Sequence, residues 1–257
     1  MTDVSLFSAS GGRELDGRVA LVTGASRNIG RAIALSLADG GAAVILTARG
    51  DKAALDAVAA AIEAKGGKAV AVLGDLTQPG DVDAVVDAGL SAFGGIDILV
   101  NNAALRNETP IEELTLEGWR SVMALALDAP FMTVKAALGP LTRSGCGSVI
   151  NIGGLSAYAG AKHRVHVVAA KSGLDGLTKA LAHELAERGI TVNLVSPGLI
   201  ETAREGREPH HHATSANLAK RRGTPEEVAA MVRFLSGPWA RYITGQTMHV
   251  NGGAYLP

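Results

Sequence analysis

A lysine and several groups that can carry a proton lie close together in the second half of the sequence. Residues 165–185, VHVVAAKSGLDGLTKALAHEL, repeat apolar side chains at three- and four-residue steps, which predicts a helix with one apolar face. Lys171 lies in the first half of this helix, and no acidic residue stands one turn before it. Tyr158, His166 and Ser156 precede it and are residue types that donate, exchange or relay protons. The question that this segment raises is which group Lys171 serves.

A glycine-containing turn near the start of the chain indicates a second kind of chemistry. The sequence runs from a strand-like stretch, VALVT, through TGASRNIG into a helical stretch. Gly24 and Gly30 allow the backbone to approach a ligand closely, and the helix N-terminus that follows favours a negatively charged group. A strand, turn and helix within about 30 residues form the usual setting of a pyrophosphate-binding turn. The turn predicts a cofactor that carries phosphate.

The elements that must position these groups alternate along the chain. Short β-branched runs predict strands, and they lie at 18–23, 42–48, 68–74, 96–102, 147–153, 190–196 and 246–252. Ala- and Leu-rich stretches between them predict helices, the clearest at 51–65, 115–141 and 165–188. Strands this apolar are typical of a sheet with both faces covered by helices. We therefore expect one Rossmann-like α/β domain with a doubly wound parallel sheet of about seven strands.

Composition and charge narrow the setting of the protein. A formal net charge of −1 over 257 residues gives no electrostatic reason to expect nucleic acid or an anionic membrane as a partner. The single cysteine, Cys146, excludes an intramolecular disulfide and suits a reducing cytoplasm. Residues 1–14 are polar and Gly/Ser-bearing, which predicts a flexible tail rather than a signal peptide. No uninterrupted run of 18 apolar residues occurs, so no membrane span is expected.

Five ordered motifs make the chain resemble a known family. The turn TGASRNIG looks like the TGxxxGxG turn of the short-chain dehydrogenase/reductase family, with Asn28 in the place of the middle glycine. The other motifs follow at family-like spacings: DLT at 75–77, NNAA at 101–104, VNLVSPGLIET at 192–202 and VNGG at 250–253. The resemblance covers roughly residues 15 to 257, and it implies a single dinucleotide-binding domain with a substrate lid around 199–222.

The resemblance also implies which residues hold the dinucleotide at the carboxyl ends of the strands. The implied residues are Gly24, Ser26, Arg27, Asn28, Ile29 and Gly30 in the turn, Asp75 and Leu76 at the adenine, Asn102, Ala103 and Ala104 at the ribose, Pro197, Gly198, Ile200 and Thr202 at the nicotinamide, and Lys171 at the nicotinamide ribose. No metal site is expected.

The end of the second strand predicts which dinucleotide is used. Enzymes that bind NAD usually place an acidic residue there, which hydrogen-bonds the ribose hydroxyls. This chain has Ala48 and then Arg49, and Arg27 stands in the glycine turn. Two guanidinium groups can bind a 2′-phosphate that a carboxylate would repel. A solvated surface role would explain Arg49 but not the missing acid, so we expect NADP(H).

Three of the four catalytic groups implied by the resemblance are missing. The family uses a Tyr four residues before the Lys, a Ser about thirteen residues before the Tyr, and an Asn on the preceding long helix. With Lys171 in the lysine position, the corresponding residues here are Val167, Gly154 and Ala126. The spacing from Gly154 to Lys171 is unchanged. The sequence therefore predicts a non-standard acid/base.

Each candidate replacement has a structural alternative. Tyr158 can reach the site from its loop or cover the core as a loop aromatic, and the latter is slightly favoured. His163 and His166 titrate near neutral pH, but His166 is one helix step away from the tyrosine position and can instead face a partner subunit or solvent. Ser156 can supply the lost hydroxyl, although Ser is common in turns. Consecutive histidines at 210–212 cannot easily converge on one metal ion.

These observations lead to one main functional hypothesis and one rival. The main one is an NADP(H)-dependent oxidoreductase acting on a small carbonyl or alcohol, or on a C=N or C=C bond, with substrate or water as alternative proton sources. The rival is a catalytically inactive NADP(H)-binding protein that acts as a sensor or structural partner. The polar segment at 203–222 suggests a small or polar substrate. A homotetramer, or at least a dimer, is expected, because the resemblance implies that the helices at 115–141 and 165–188 lie in a shared four-helix interface.

Overall fold

Seven parallel strands form one sheet in the computed structural model, which describes residues 12–105, 107–202 and 217–257. The strands, in chain order β1 to β7, are Val19–Thr23, Ala43–Ala48, Ala69–Leu73, Ile98–Asn101, Ser148–Ile152, Thr191–Pro197 and Thr247–Val250. Their spatial order is β3-β2-β1-β4-β5-β6-β7, and every neighbouring pair is parallel. The predicted seven-stranded, doubly wound parallel sheet is confirmed.

Helices cover both faces of this sheet. The helices, in chain order α1 to α8, are Asn28–Asp39, Lys52–Glu63, Pro79–Phe93, Leu116–Met123, Ala129–Arg143, Ser156–Ala159, Val165–Leu185 and Pro225–Ser236. Consecutive residues of β1 point to opposite faces, so Leu21 packs with α3, α5 and α7 while Val22 packs with α1, α2 and α8. This two-sided burial explains why the strands are apolar throughout rather than alternating.

The long helix predicted at 115–141 is interrupted. A π-helical turn, Ala124–Asp128, separates α4 from α5, and the backbone N–H of Ala129 bonds to the carbonyl of Ala124. Pro130 follows at once and has no N–H to donate, so its place at the start of a new α-helical segment is compatible with the helix. Such turns inside helices often lie at functional sites. Ala126, the residue in the family's asparagine position, is in this one.

The same helical run resembles a membrane span by composition alone. Among the described residues, Leu116–Arg143 is the one helical stretch whose length and mean hydropathy, 1.4, match those of a membrane helix, and 39% of its most apolar window is buried. Core helices of globular proteins pass the same test, so one such helix is weak evidence for a membrane segment. Here the run packs on α3 and α7.

The last residues of the predicted N-terminal tail, 12–14, contact the domain. Leu15 is fully buried, and the carboxylate of Glu14 accepts hydrogen bonds of 2.5 and 2.8 Å from the guanidinium of Arg233 on α8. The carbonyl of Gly12 accepts a further bond from Arg233. Residues 12–14 therefore pack on the domain, and residues 1–11 lie outside the described part.

The strand order opens a crevice at the carboxyl ends of the strands. Chain connections run outward from β1 in one direction and from β4 in the other, and a ligand crevice forms where the order reverses. Loops at this edge are tied together by backbone hydrogen bonds, from Ala25 N–H to the Thr47 carbonyl at 3.0 Å and from Gly74 N–H to the Ala48 carbonyl at 3.0 Å. The glycine turn therefore lies beside the ends of β2 and β4.

Candidate cofactor and substrate site

The glycine turn leaves no room for side chains at two positions. Gly24 has a φ of +63°, a left-handed conformation that glycine adopts without strain. A Cβ on Gly30 would lie 2.1 Å from the Gly24 carbonyl oxygen and 2.5 Å from Nδ2 of Asn102. Both positions therefore require glycine, as the close approach of a backbone to a ligand demands.

Asn28 fits the conformation that a glycine would adopt in the same place. Its φ is +51°, in the left-handed region, where asparagine is the best tolerated residue after glycine. Helix α1 begins at Asn28, and no acidic residue occupies its first turn. The turn thus keeps its backbone path with an amide side chain added, and the positive end of the helix dipole remains available for a phosphate.

The side chain of Asn102 supports the turn from the neighbouring strand end. Its Nδ2 donates to the carbonyl oxygens of Thr23 at 2.9 Å and Gly24 at 3.1 Å. The hydroxyl of Thr23 accepts from the backbone N–H groups of Asn102 at 2.9 Å and Ala103 at 3.0 Å, and donates to the Val100 carbonyl. The Asn102 amide is therefore engaged in holding the β1 and β4 ends together, and a role at the ribose would fall to the backbone of this segment.

The part of the crevice that is predicted to bind the adenine carries two exposed cations and one carboxylate fixed by hydrogen bonds. Arg27 and Arg49 are exposed, and Leu76 is buried. Oδ1 of Asp75 accepts hydrogen bonds from the hydroxyl and the backbone N–H of Thr77, at 2.7 and 3.1 Å. These two bonds, with a smaller contribution from the charge of Arg49, hold the pKa of Asp75 below its ordinary value.

The acidic residue that follows β2 most closely along the chain already accepts a hydrogen bond from a helix N-terminus. Asp51 caps α2, because its Oδ1 accepts from the backbone N–H of Ala54 at 3.0 Å. Ala48 and Arg49, which come first after the strand interior, supply no carboxylate. The edge of the crevice next to β2 therefore presents positive charge where an NAD-binding site usually presents negative charge.

Lys171 points at the end of β5. It is only 7% exposed, and its Nζ donates to the Ile152 carbonyl at 2.5 Å. Two turns further along α7, the hydroxyl of Thr178 accepts from Nδ2 of Asn151 at 2.9 Å and donates to the Leu174 carbonyl. These contacts fix which face of α7 meets the sheet, and Lys171 lies on that face.

A buried polar chain that the sequence analysis missed extends this alignment. The Thr133 hydroxyl donates to Oδ1 of Asn101 at 2.7 Å, and Nδ2 of Asn101 donates to Oδ1 of Asn151 at 2.9 Å. Asn151 then reaches Thr178, so the chain connects α5 to α7 through the sheet. The available signal was the presence of asparagine inside two otherwise apolar strands, since buried polar groups need partners.

The positions assigned to the family's tyrosine and asparagine lie in an apolar cluster. Val167 and Ala126 are 3% and 2% exposed, and they pack with Val122 and Ala170. The half-buried side chains of Leu105 and Met123 pack against this cluster. No atom of these six side chains can donate or accept a proton at neutral pH.

The position assigned to the family's serine is open. Among the described residues other than its two chain neighbours, the one atom within 4 Å of a Cβ built on Gly154 is the Ser156 hydroxyl oxygen, at 4.0 Å. Ser156 begins the short helix α6, and the preceding Leu155 N–H bonds to the Pro197 carbonyl. Of the four catalytic candidates, Ser156 is thus the one whose hydroxyl lies next to the position assigned to the family's serine.

Tyr158 is engaged with other partners. Its hydroxyl donates to Oδ1 of Asp175 at 2.9 Å and lies 3.2 Å from the Thr247 hydroxyl. Its ring packs against those of His249 and Tyr255, with centroids 4.8 and 5.4 Å away. Burial, with a smaller contribution from the Asp175 carboxylate, raises the pKa of Tyr158 to about 12. This environment favours the interpretation of Tyr158 as a loop aromatic that fastens α6 to β7.

His166 is buried inside the chain, so the alternative in which it faces a partner subunit or solvent is wrong. It is 1% exposed, and its Nδ1 has no hydrogen-bond partner among the described residues. Burial, and secondarily the charge of Arg164, lower its pKa below the ordinary value. It shares a helix face with Ala170 and Gly173, the latter packed against Leu127 of the π-helical turn. Lys171, five positions after His166, instead reaches the Ile152 carbonyl at the sheet.

His163 contributes backbone geometry rather than its ring. Its φ is +61°, and its carbonyl accepts from the Thr109 backbone N–H at 2.7 Å. The loop before α7 is thereby joined to the loop after β4.

The predicted nicotinamide segment closes the other side of the crevice. Pro197 ends β6, and a Cβ on Gly198 would lie 2.7 Å from Asn251 Cα. A bridge pairs Ile200 with Gly223, so the two ends of the predicted lid are held together. Thr202 is half-buried. Most of the lid, residues 203–216, lies outside the described part of the chain.

The three consecutive histidines at 210–212 lie in the lid segment outside the described residues. Within residues 12–105, 107–202 and 217–257, no three His, Cys, Asp or Glu side chains are grouped as a metal site requires.

Comparison with known proteins extends this geometry to a family. Residues 24–255 match the family model described as Enoyl-(Acyl carrier protein) reductase. A 3-oxoacyl-[acyl-carrier-protein] reductase of Vibrio cholerae is 42% identical over 245 residues, which are 94% of this chain and 99% of that protein. A protein of the same description from Synechocystis is 41% identical over 243 residues, covering 94% and 98%.

Solved structures give the same result. A short chain dehydrogenase from Burkholderia cenocepacia in complex with NADP has a TM-score of 0.88 and 37% identity, covering 94% of this chain and 99% of that one. A blue fluorescent protein from a metagenomic library, in complex with NADPH, has a TM-score of 0.88 and 36% identity, covering 95% and 100%. Matches this complete in sequence and in fold lead to one conclusion: the chain belongs to the short-chain dehydrogenase/reductase family.

Proposed function

We propose that this protein is an NADP(H)-dependent oxidoreductase that transfers hydride to or from a small molecule without the family's tyrosine as proton donor. The observation that carries the proposal is the glycine turn. Gly30 has no space for a Cβ against Gly24 and Asn102, and the turn leads directly into the N-terminus of α1. Such a cradle suits a pyrophosphate, and nothing in the packing of a globular domain otherwise demands it.

The residues around the crevice fit the dinucleotide along its length. Gly24, Asn28 and Gly30 would receive the pyrophosphate, and Asp75 with Leu76 would border the adenine. Lys171 would hold the nicotinamide ribose, since its buried ammonium lies at the carboxyl end of β5, where it donates to the Ile152 carbonyl. When bound, the reduced cofactor supplies a hydride, and the residues of this chain supply orientation and exclusion of water.

The phosphate end supports NADP(H) over NAD(H). Arg27 and Arg49 are exposed cations beside the turn, and Asp51, the first carboxylate after β2, is engaged as a helix cap. Two of the structurally similar proteins bind NADP or NADPH. Two exposed guanidinium groups can form bidentate hydrogen bonds to the 2′-phosphate of NADP(H). The uncharged ribose hydroxyls of NAD(H) cannot form such charge-assisted bonds.

The substrate side supports a non-standard proton source. Val167 and Ala126 are buried among apolar side chains, and Ser156 is the hydroxyl adjacent to the open position at Gly154. From the relatives named as 3-oxoacyl-[acyl-carrier-protein] reductases we therefore infer the reaction class of this chain, hydride transfer, but not its substrate. Reduction of an ordinary ketone ends on an alkoxide that needs a proton, and general acids typically accelerate such steps by ~10²–10⁴-fold.

A homotetramer is part of the proposal. The exposed apolar side chains on the two helices expected at the shared interface include Phe131, 51% exposed, and Val165, 43% exposed. Burial of these groups between copies would remove apolar surface from water. A monomer in light scattering at micromolar concentration would contradict this expectation.

The test of the cofactor assignment is a fluorescence titration with NADPH and NADH. The wild-type chain is expected to bind NADPH more tightly than NADH by at least roughly tenfold, or about 1.4 kcal/mol. The double substitution Ala48→Asp with Arg49→Ala introduces the acid and removes a cation, and it is expected to reverse the preference. As a matched control, Lys52→Ala removes an exposed cation paired with Asp56 on α2 and is expected to leave the preference unchanged. Equal affinity for the two cofactors in the wild-type chain would refute the assignment.

The rival function predicts a different outcome in a turnover assay. A sensor or structural partner binds NADPH but does not oxidise it, whichever acceptor is offered. The proposed oxidoreductase oxidises NADPH with at least one member of a panel of carbonyl, imine and conjugated acceptors. Binding without turnover across that panel favours the rival.

A further inference from the structure

The second half of helix α7 packs on the sheet through apolar side chains with two polar exceptions. The helix lies wholly within the described part of the chain, and its buried residues from Lys171 onward are Lys171, Leu174, Thr178, Ala182 and Leu185. Apolar contacts tolerate a small slide of one element over another, because the hydrophobic effect is not directional. A hydrogen bond weakens steeply as its distance and angle change. The contacts of Lys171 and Thr178 therefore determine where α7 lies along the sheet.

Thr178 is the polar contact nearer the middle of the sheet. Its hydroxyl accepts from Nδ2 of Asn151 at 2.9 Å and donates to the Leu174 carbonyl at 2.8 Å. Thr178 is 1% exposed and Asn151 is 0% exposed, so bulk water cannot replace either partner. A shift of the helix that broke this bond would leave a buried amide N–H unsatisfied, which costs free energy.

The amide of Asn151 is held in one orientation by the sheet. Its Oδ1 accepts from Nδ2 of Asn101 at 2.9 Å, and Oδ1 of Asn101 accepts from the Thr133 hydroxyl at 2.7 Å. Asn101 and Asn151 lie directly opposite each other in the ladder between β4 and β5. A flip of either amide would set two donors or two acceptors against each other. Thr178 is thus bonded to a group that cannot turn to follow a displaced helix.

Lys171 is the second polar contact and lies two helical turns before Thr178. At about 3.6 residues per turn, the two side chains point to the same face of α7. Nζ of Lys171 donates to the carbonyl of Ile152 at 2.5 Å, and Ile152 follows Asn151 in β5. One face of α7 is therefore attached to two consecutive residues of one strand. A change of register at Thr178 would move Lys171 relative to the end of that strand.

Stability alone gives no reason for a polar pair between α7 and β5. A buried hydrogen bond contributes little net free energy once desolvation is counted, and replacing both partners with apolar groups of the same shape can be nearly neutral. A fully satisfied polar network adds a defined position that apolar packing lacks. On this face of α7, the group whose position matters to a ligand is the Lys171 ammonium, because charge-assisted hydrogen bonds need a defined geometry.

We propose that Thr178 and Asn151 are positioning residues for NADP(H) binding. They hold α7 in the register on β5 that places the Lys171 ammonium at the nicotinamide ribose, and they act through Lys171 rather than by touching the cofactor. Asn101 and Thr133 support them by fixing the amide of Asn151. This inference rests on the cofactor site proposed above.

The experiment is a double-mutant cycle on the full-length chain, with NADPH affinity measured by fluorescence titration. The four proteins are the wild type, Thr178→Val, Lys171→Met and the double variant. Valine keeps the shape of threonine and removes the hydroxyl. We expect Thr178→Val to weaken NADPH binding by about fivefold, a part of the loss expected when Lys171 itself is removed. In the Lys171→Met background the same substitution is expected to change the affinity by less than about twofold, because the group that it positions is absent.

Three further variants distinguish positioning from a loss of stability. Thr178→Ser keeps the hydroxyl and is expected to bind NADPH within about twofold of the wild type. Thr178→Ala removes the hydroxyl with a smaller side chain and passes through the same cycle, so that the result does not depend on one substitution. Thr142→Val is the matched control, because the Thr142 hydroxyl donates to the Leu138 carbonyl of its own helix, α5, at 2.8 Å, and the affinity is expected to stay unchanged.

Thermal unfolding of the same proteins reports the purely structural effect. The unfolding midpoint is expected to fall by the same amount when Thr178→Val enters the wild-type or the Lys171→Met chain, since the amide of Asn151 loses its partner in both. The NADPH affinity, in contrast, is expected to respond in the wild-type background alone. A difference between the two readouts is what a positioning role predicts and a structural role does not.

The outcomes separate the two proposals. If the wild-type chain does not bind NADPH, the proposed cofactor site fails and the positioning role fails with it. If the wild-type chain binds NADPH, the cofactor site stands, and three results then overturn the positioning role. These are unchanged affinity in Thr178→Val, an equal loss of affinity in both backgrounds, and unchanged affinity in Lys171→Met. A loss in Thr178→Val that disappears in the Lys171→Met background supports it.

Discussion

The two halves of the crevice differ in how tightly they constrain their residues. At the glycine turn, atoms of Gly24, Gly30 and Asn102 lie so close that one methyl group would overlap them. The one departure from the family pattern there, Asn28, is a residue that accepts the required left-handed backbone. In the substrate half, a Cβ on Gly154 would come no closer than 4.0 Å to the described residues beyond its chain neighbours, and Val167 and Ala126 fill their positions as ordinary core residues.

This contrast teaches that a backbone requirement and a side-chain chemistry are retained for different reasons. A close backbone approach fails with any added atom, so its residues have few substitutes. An apolar residue of suitable volume can occupy the place of a proton donor without loss of packing, and we propose that the apolar cluster around Val167 is an example. The fold can therefore keep one half of the site while the other changes its chemistry.

The largest expected effect is on the turn. Gly30→Ala places a Cβ 2.1 Å from the Gly24 carbonyl oxygen, so the turn must shift and NADPH affinity is expected to fall by at least ~10²-fold, or about 2.7 kcal/mol. NADPH fluorescence measures this change. Gly176→Ala on α7 is the matched control, since no atom lies within 4 Å of its added Cβ and its affinity is expected to stay at the wild-type level.

The next effect concerns the substrate half. The triple substitution Val167→Tyr, Gly154→Ser and Ala126→Asn introduces the three groups that the family resemblance implies, and it is expected to raise NADPH-dependent reduction of a simple ketone by on the order of 10²-fold. Val167→Tyr alone is the control and is expected to give little, because the serine and asparagine positions still lack polar groups. A triple variant no faster than the parent would show that the register assigned to α7 is wrong.

A smaller effect is expected where the two halves meet. Lys171→Met removes a charged donor from the nicotinamide ribose, and NADPH binding is expected to weaken by ~1–3 kcal/mol. Lys179→Met, two turns further along α7 and solvent-exposed, serves as the comparison. Unchanged affinity in the Lys171 variant would remove the role assigned to this lysine.

The smallest effect is a pH dependence of stability from His166. Its pKa is lower in the folded chain than the ordinary value of 6.5, so the unfolded chain binds the extra proton first as pH falls. The contribution of His166 to the free energy of unfolding is therefore complete above pH 6.5. It decreases as the pH falls from 6.5 toward the lower pKa of His166 in the folded chain. Urea unfolding at about pH 7.5 and about pH 5.5 should show a smaller decrease in His166→Gln than in the wild-type chain, while exposed His183→Gln should behave as wild type. If the free energy of unfolding decreased by the same amount in His166→Gln as in the wild-type chain, the buried, neutral state of His166 would be contradicted.

The sequence predicted the sheet well because its strands are buried on both faces. Each predicted strand overlaps the observed one, as 42–48 does Ala43–Ala48, since apolar runs of this length have few other solutions. The π-helical turn at Ala124–Asp128 was not predictable from periodicity, because one extra residue per turn barely alters an apolar pattern.

The site was predictable only where its chemistry is local. The glycine turn is contiguous, so its geometry follows from neighbouring residues. Tyr158 depends instead on Asp175 and Thr247, which lie 17 and 89 residues away along the chain, and no local pattern reports such partners. The orientation of His166 likewise depends on packing between α7 and the π-helical turn, which was itself unforeseen.

The most direct test of an intact cofactor half is amide hydrogen exchange of the wild-type chain with and without NADPH. Binding at the turn predicts slower exchange in residues 23–30 and 100–104, and in the first half of α7, with no change in α8. Protection confined to those segments would locate the cofactor where the glycine turn, Asn102 and Lys171 meet. Exchange that is unaltered in residues 23–30 at saturating NADPH would contradict the proposed site.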